Sequence, residues 1–195
     1  MITKESLIQW ECNNIIRTYE FLKANESFLV GAQGEEFVIS ALSQLPDEYY
    51  VLNDVNLHFH RTIHWREWDE PIRNCQIDHI VVGPTGIFLV ETKNWKASDI
   101  ELKSYELIHQ VLRSNHGLWH YIKDFYSWFK SPQIRNVIVS MKGSPSGKKL
   151  HKYIDVVTPH QLCVYITARK SVLSKDEIKK VVDIITHPRY RRPQF

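Results

Sequence analysis

Apolar and polar positions alternate along this chain in several rhythms, and each rhythm predicts an element. Over residues 5–30, Leu7, Ile8, Ile15, Ile16, Tyr19 and Leu22 form an apolar set that predicts a packing helix with no chemistry of its own. A second helix is expected after Gly31-Ala32-Gln33-Gly34 and runs to about Leu45, with Val38, Ala41, Leu42 and Leu45 as its buried stripe. Tyr49–Phe59 reads as a strand. His60–Asn74, polar with two Trp and a Pro, reads as an excursion between strands near the substrate. A short strand is expected around Ile100–Leu102. From Tyr105 to about Phe129 the residues Leu107, Val111, Leu118, Ile122, Phe125 and Phe129 fall on one helical stripe, widened by Tyr121 and Trp128. Arg135–Met141 and Tyr153–Val157 read as strands, and residues 158–168 have no decisive pattern. Ser174, with Glu177 three residues on, opens a terminal helix to Thr186.

The most constrained stretch is Cys75–Asn94, CQIDHIVVGPTGIFLVETKN, two β-branched apolar runs joined by Gly-Pro-Thr-Gly. With Pro84 and Thr85 at the turn, Gly83 faces Gly86, and pairing outward sets Asp78 opposite Glu91. Directly paired residues have β-carbons roughly 4.5–5.5 Å apart. Lys93 shares a face with Glu91 because strand side chains repeat with period two. Two carboxylates and an amine on one spot fit either of two arrangements. One is an oxygen-rich site for Mg²⁺ or Mn²⁺; the other is a salt bridge at the sheet end.

On the expected second helix, Glu35 falls at the edge of the buried stripe and Glu36 nearly opposite it. Both would sit near a helix N-terminus, which favours negative charge. A carboxylate at the edge needs a partner, so Glu35 is the one able to reach the hairpin. On the long helix, Gln110 lies at the stripe's edge, on the same side as Gly117, where backbone can approach another element. It is a polar candidate for the site or an ordinary boundary residue. His58, His60, His64, His116 and His120 lack matching ligands and read as structural or surface residues.

Composition adds limits. The chain's 195 residues suit one domain, and its 43% hydrophobic and 24% charged residues are ordinary for a globular protein. No apolar run approaches the roughly 20 residues needed to span a bilayer. The first residues have no signal-like apolar core, and Cys12, Cys75 and Cys163 are few and scattered, so a reducing cytoplasmic setting is expected. GSPSGKK at 143–149 has the wrong spacing for a Walker A loop, and Lys149 stands where Ser or Thr belongs. The net charge of +3 is uneven: residues 1–99 hold 8 Lys/Arg against 15 Asp/Glu, and residues 100–195 hold 17 against 7. An acidic half beside a basic one, with a basic aromatic tail at 188–195, suits a polyanionic substrate.

The motifs GAQGE at 31–35, QIDHIVVGPTGIFLVETKN at 76–94 and Gln110 on the following helix resemble the PD-(D/E)XK nuclease superfamily. More specifically they resemble its nuclease-related domain family, found largely in bacterial proteins. The resemblance covers roughly residues 30–140. It implies a restriction-endonuclease-like α/β core, a mixed sheet flanked by helices. An N-terminal helical extension over 1–30 would precede a nuclease domain over 31–195. It also implies hydrolysis of phosphodiester bonds in nucleic acid, DNA rather than RNA, with Mg²⁺ or Mn²⁺ as cofactor. On this resemblance Asp78, Glu91 and Glu35 bind the metal. Lys93 orients the attacking water or stabilises developing charge, and Gln110 completes the set. The rival expectation is a non-catalytic nucleic-acid-binding or regulatory module on the same fold.

Overall fold

The computed structural model describes residues 4–123, 133–142 and 150–187. The phosphate-loop-like stretch, the basic tail and Phe125, Trp128 and Phe129 of the expected long helix lie outside them. Among the described residues five strands form one sheet in sequence order: β1 (Tyr50–Trp65), β2 (Glu70–Gly83), β3 (Gly86–Lys96), β4 (Ile134–Lys142) and β5 (Ile154–Val157). β1, β2 and β3 are antiparallel, whereas β3, β4 and β5 run parallel. Six helices accompany them among the described residues: α1 (Lys4–Ala24), α2 (Glu26–Leu42), α3 (Ala97–Leu102), α4 (Ser104–Lys123), α5 (Pro159–Thr167) and α6 (Lys175–Thr186). The result is the restriction-endonuclease-like α/β architecture, with a helical segment at its N-terminal end.

Burial on both faces explains the uninterrupted apolar runs of the central strands. Ile80, Val82, Ile87 and Leu89 face a core shared with Leu107, Val111 and Leu118 of α4 and Ile178 and Val181 of α6. Val81, Phe88 and Val90 face the other way, against Val38 and Leu42 of α2 and Leu162 and Ile166 of α5. The capping box at Ser174 and Glu177 is present and starts α6.

Several expected boundaries move. The first helix ends at Ala24, and α2 starts at Glu26, so Gly31 and Gly34 lie inside a helix instead of preceding one. Glycine in a helix interior costs about 1 kcal/mol relative to alanine. Gly34 is buried against the sheet, and an added Cβ there would make only ordinary contact, 3.5 Å from Thr92 Cγ2 and 3.6 Å from Met141 Cγ. Glu35 and Glu36 are therefore mid-helix and gain nothing from its N-terminal dipole, whose influence fades within a turn. The apolar set of α1 does not pack as expected, since Ile15, Ile16 and Tyr19 are exposed. Ile100 is buried from a short helix, α3, where a strand was expected.

The largest correction concerns His60–Asn74. It is the outer half of a long hairpin: β1 continues to Trp65 and β2 starts at Glu70. Pairing runs from Tyr50↔Val82 to Trp65↔Glu70, with a register shift between His58 and Ile63. β3 pairs with β2 only from Gly83↔Gly86 to His79↔Val90. Beyond that point β1 and β2 continue as a two-stranded ribbon, packed on α4 through Leu57, Phe59 and Cys75. Residues 158–168 resolve into α5, capped by Thr158 and Gln161.

Candidate active site

The hairpin register expected from Gly-Pro-Thr-Gly holds through His79↔Val90, and Asp78 comes next, where the ladder ends. There a side chain replaces the strand's backbone: Thr92 N–H donates to Asp78 Oδ2 at 2.8 Å. Opposite Asp78 on β1, Asp54 has a positive φ of 47°. Its carboxylate accepts from Gln76 Nε2 at 2.9 Å. β2 and β3 separate at this point, and the opening is a cleft of about 500 Å³. Val30, Gly31 and Glu35 of α2, Gln76 and Asp78 of β2, Glu91 to Trp95 of β3 and Gln110 of α4 line it.

All five residues expected at the site therefore border one cleft. Glu91 is its deepest member, with 1% of its surface exposed. Its Oε1 accepts from Lys93 Nζ and from Gln110 Nε2, both at 2.6 Å. Gln110, expected either as a polar member of the site or as an ordinary boundary residue, is thus tied directly to the hairpin carboxylate. Glu91 Oε2 is buried and has no hydrogen-bond partner among the described residues. A buried carboxylate oxygen without a donor is expensive. Burial, and then the charge of Asp78, push the Glu91 carboxyl up to about 7, against the pull of Lys93 and Gln110.

Glu35 lines the same cleft from the exposed side of α2. Its carboxyl is raised by partial loss of water, then by the charges of Asp78 and Asp54, with Lys93 acting the other way. Glu36 is exposed and does not line the cleft. Among the described residues no three His, Cys, Asp or Glu side chains stand close enough together to enclose a metal ion. The site offers Asp78 and Glu91 side by side, with Glu35 farther out on the wall.

Three supporting residues were not legible as such. His79, 1% exposed, connects Asn53 Oδ1 at 2.9 Å on Nδ1 with Thr92 Oγ1 at 3.3 Å on Nε2. Burial lowers its pKa and favours the neutral ring, which donates to the Asn53 oxygen and accepts from the Thr92 hydroxyl. The ring thus joins β1, β2 and β3 where the ladder stops. Asn94 Nδ2 donates to Val30 O at 2.9 Å and fastens α2 to the end of β3. Trp95 lies beneath two ammonium groups, with Lys93 Nζ 5.5 Å and Lys103 Nζ 5.0 Å from its ring centroid. A polar residue beside Asp78 was the only available signal for His79, and its partner Asn53 emerges only from the β1 register.

The nuclease-related domain model matches residues 30–141, the segment that carries α2, the hairpin, α4 and β4. The chain belongs to the nuclease-related domain family. Within this nuclease-related domain the match includes every residue bordering the cleft. A stretch of 67 residues is also 42% identical to an uncharacterized protein of Bacillus anthracis. That alignment takes in 34% of this chain and 27% of the relative's length. No solved structure matches. Among the described residues no helix is long and apolar enough to cross a membrane.

Proposed function

We propose that this chain is a divalent-metal-dependent nuclease that hydrolyses phosphodiester bonds, with DNA as its substrate. One observation carries the reading: Glu91 Oε2 is buried without a donor beside a second carboxylate, Asp78. A cation relieves both problems, the missing partner and the like-charge crowding. Mg²⁺ is commonly held by one or two carboxylates together with waters and substrate phosphates, so two neighbouring carboxylates fit it without a third enclosing ligand. Asp78 and Glu91 would hold the ion, and Glu35 would act from the cleft wall. When bound, Mg²⁺ or Mn²⁺ supplies Lewis acidity to a phosphoryl oxygen and acidifies water near neutral pH.

The chain's own groups do the rest. Thr92 N–H holds the Asp78 carboxylate in one orientation. Gln110 and Lys93 hold Glu91 by one oxygen and leave the other facing no donor. Lys93 brings a compact positive charge to the place where a phosphate would gain negative charge. The most decisive experiment is Mn²⁺-dependent cleavage of duplex, single-stranded and RNA substrates by wild type and Asp78→Ala in parallel. Cleavage by wild type and none by Asp78→Ala supports the reading; equal cleavage by both removes it.

A second reading is a nucleic-acid-binding module without turnover. The closed Lys93–Glu91 ion pair, at 2.6 Å with side chains 16% and 2% exposed, favours it. Binding without cleavage by wild type in both Mg²⁺ and Mn²⁺ would select it.

A further inference from the structure

Past Asp78 the β1–β2 ribbon leaves the sheet and has one face on α4. Its other face is uncovered: Asn56, His58, Arg61, Arg73, Asn74 and Gln76 are all exposed. We infer that this face is a docking surface for duplex DNA, which lies along the ribbon and leads a strand to the cleft. The inference rests on the nuclease reading only in taking nucleic acid as the cleft's substrate.

Four observations converge on it. The first is charge. Residues 55–64 and 71–77 contain Arg61, Arg73 and three histidines, His58, His60 and His64, but no Asp or Glu. The ribbon's carboxylates lie at its ends. Asp54 at the base is engaged by Gln76, Glu70 near the tip binds His109 and Arg113 of α4, and in the tip turn Asp69 meets His64 at 3.2 Å beside the exposed Glu67. The overall acidity of residues 1–99 therefore does not extend to this surface.

The second is continuity. Gln76 belongs to the ribbon face and also to the cleft lining, and it pairs across the ladder with Asn56. His58↔Asn74 is a further cross-strand pair on the same ribbon. A path of amide, imidazole and guanidinium groups thus leads outward from the cleft.

The third is shape. A two-stranded antiparallel ribbon is one of the two elements that fit the major groove of B-DNA. From Asn56 to His64 strand β1 spans at most about 26 Å at about 3.3 Å per residue, shorter than one duplex turn of about 34 Å. The major groove of A-form RNA is too deep and narrow to admit it.

The fourth is where the aromatic rings lie. Single strands are held by exposed rings on which bases stack. The ribbon's rings are turned the other way: Phe59 packs into the α4 core, and Trp65 stacks on His116 of α4. Asn and Gln on the open face suit base edges, and Arg suits phosphates or guanine.

The test reads binding alone, without divalent cation, by fluorescence anisotropy of a labelled 20-base-pair DNA duplex, the corresponding RNA duplex and single-stranded DNA. Wild type is expected to bind the DNA duplex most tightly. The double variant Arg61→Gln/Arg73→Gln is expected to lose at least tenfold in duplex affinity. Its slope of log K against log salt should fall by about 1.8, from two phosphate contacts at about 0.9 each. His58→Ala/Asn74→Ala is expected to weaken duplex binding with the slope unchanged. Mn²⁺ binding by calorimetry should be unaltered in both variants. Wild-type duplex affinity in both variants would overturn the inference, as would RNA duplex or single strands bound as tightly as DNA duplex. The two proposals fail separately. A wild type that never cleaves but whose duplex binding depends on Arg61 and Arg73 loses the nuclease reading and keeps the ribbon. A wild type that cleaves while both variants bind duplex normally keeps the nuclease reading and loses the ribbon.

Discussion

At Gly117 helix α4 lies so near β2 that an added Cβ would stand 2.6 Å from Cys75 Sγ. Two turns earlier the same helix meets the sheet through Gln110, which donates to a buried carboxylate whose second oxygen has no donor. One end of the helix contact is apolar and filled; the other is polar and incomplete. Leu107, Val111 and Leu118 hold α4 to the core at both ends, so the electrostatic penalty at Glu91 can be tolerated. This fold concentrates its stability beside its site and leaves the site itself unsatisfied.

The sharpest way to break this division is at Lys93. Lys93→Ala is expected to lower cleavage by about 10²–10³-fold, with far-UV circular dichroism retained and Mn²⁺ still bound in calorimetry. Wild-type turnover in that variant would end the catalytic assignment. At the filled end the effect should appear in stability. Leu118→Ala is expected to cost about 2–5 kcal/mol and Gly117→Ala about 1–3 kcal/mol by urea unfolding. Turnover measured well below the melting temperature should change little in either. A large kinetic defect in Gly117→Ala would show that the two ends are not independent.

A subtler test is the pH dependence of the cation-free protein. The Glu91 carboxyl is raised in the fold to about 7 from an unfolded value near 4.5. Between those values the folded state keeps a proton that the unfolded chain has released, so stability falls as pH rises through this window. Wild type is expected to show that decline, Glu91→Gln to lose much of it, and saturating Mg²⁺ to flatten it in wild type. A wild-type stability that rises from pH 5 to 7 with no such contribution would contradict the picture. The smallest effect is chemical. Cys12 is exposed, whereas burial at the Gly117 contact raises the Cys75 thiol to about 11. At pH 8 a thiol reagent should label Cys12 quickly and Cys75 only as fast as the α4 contact opens, as read by mass spectrometry.

The two ends also differed in how far they could be read from residues alone. The hairpin register followed from a Gly-Pro-Thr-Gly turn between β-branched runs, because turn type and loop length fix the register of a hairpin. Gly117 and Gln110 sat at readable positions on a strongly periodic helix. Gly31 and Gly34 misled, because the packing of α2 against the sheet through Val38 and Leu42 outweighs glycine's poor helix propensity. Only His60–Asn74 was read as an excursion between strands, because the open face there is polar and the register shifts between His58 and Ile63, which erases the alternation that marks a strand. Asp54 and His79 depend on β1 lying opposite β2, and no local pattern announces a tertiary pairing.

The mixed order of the sheet has a consequence for how the protein comes into being. β2 and β3 pair across a two-residue turn, but β3 and β4 pair Ile87 with Ile134, 47 positions along the chain. Closing a long connection delays parallel pairing relative to a hairpin. Asp78 can therefore meet Thr92 early, while Glu91 still faces water and titrates as an ordinary glutamate. Its burial waits for α4 and β4 to arrive. On this order the charge conflict that would attract a cation is among the last features to form, and a partly folded chain would carry the site's residues without yet having its affinity.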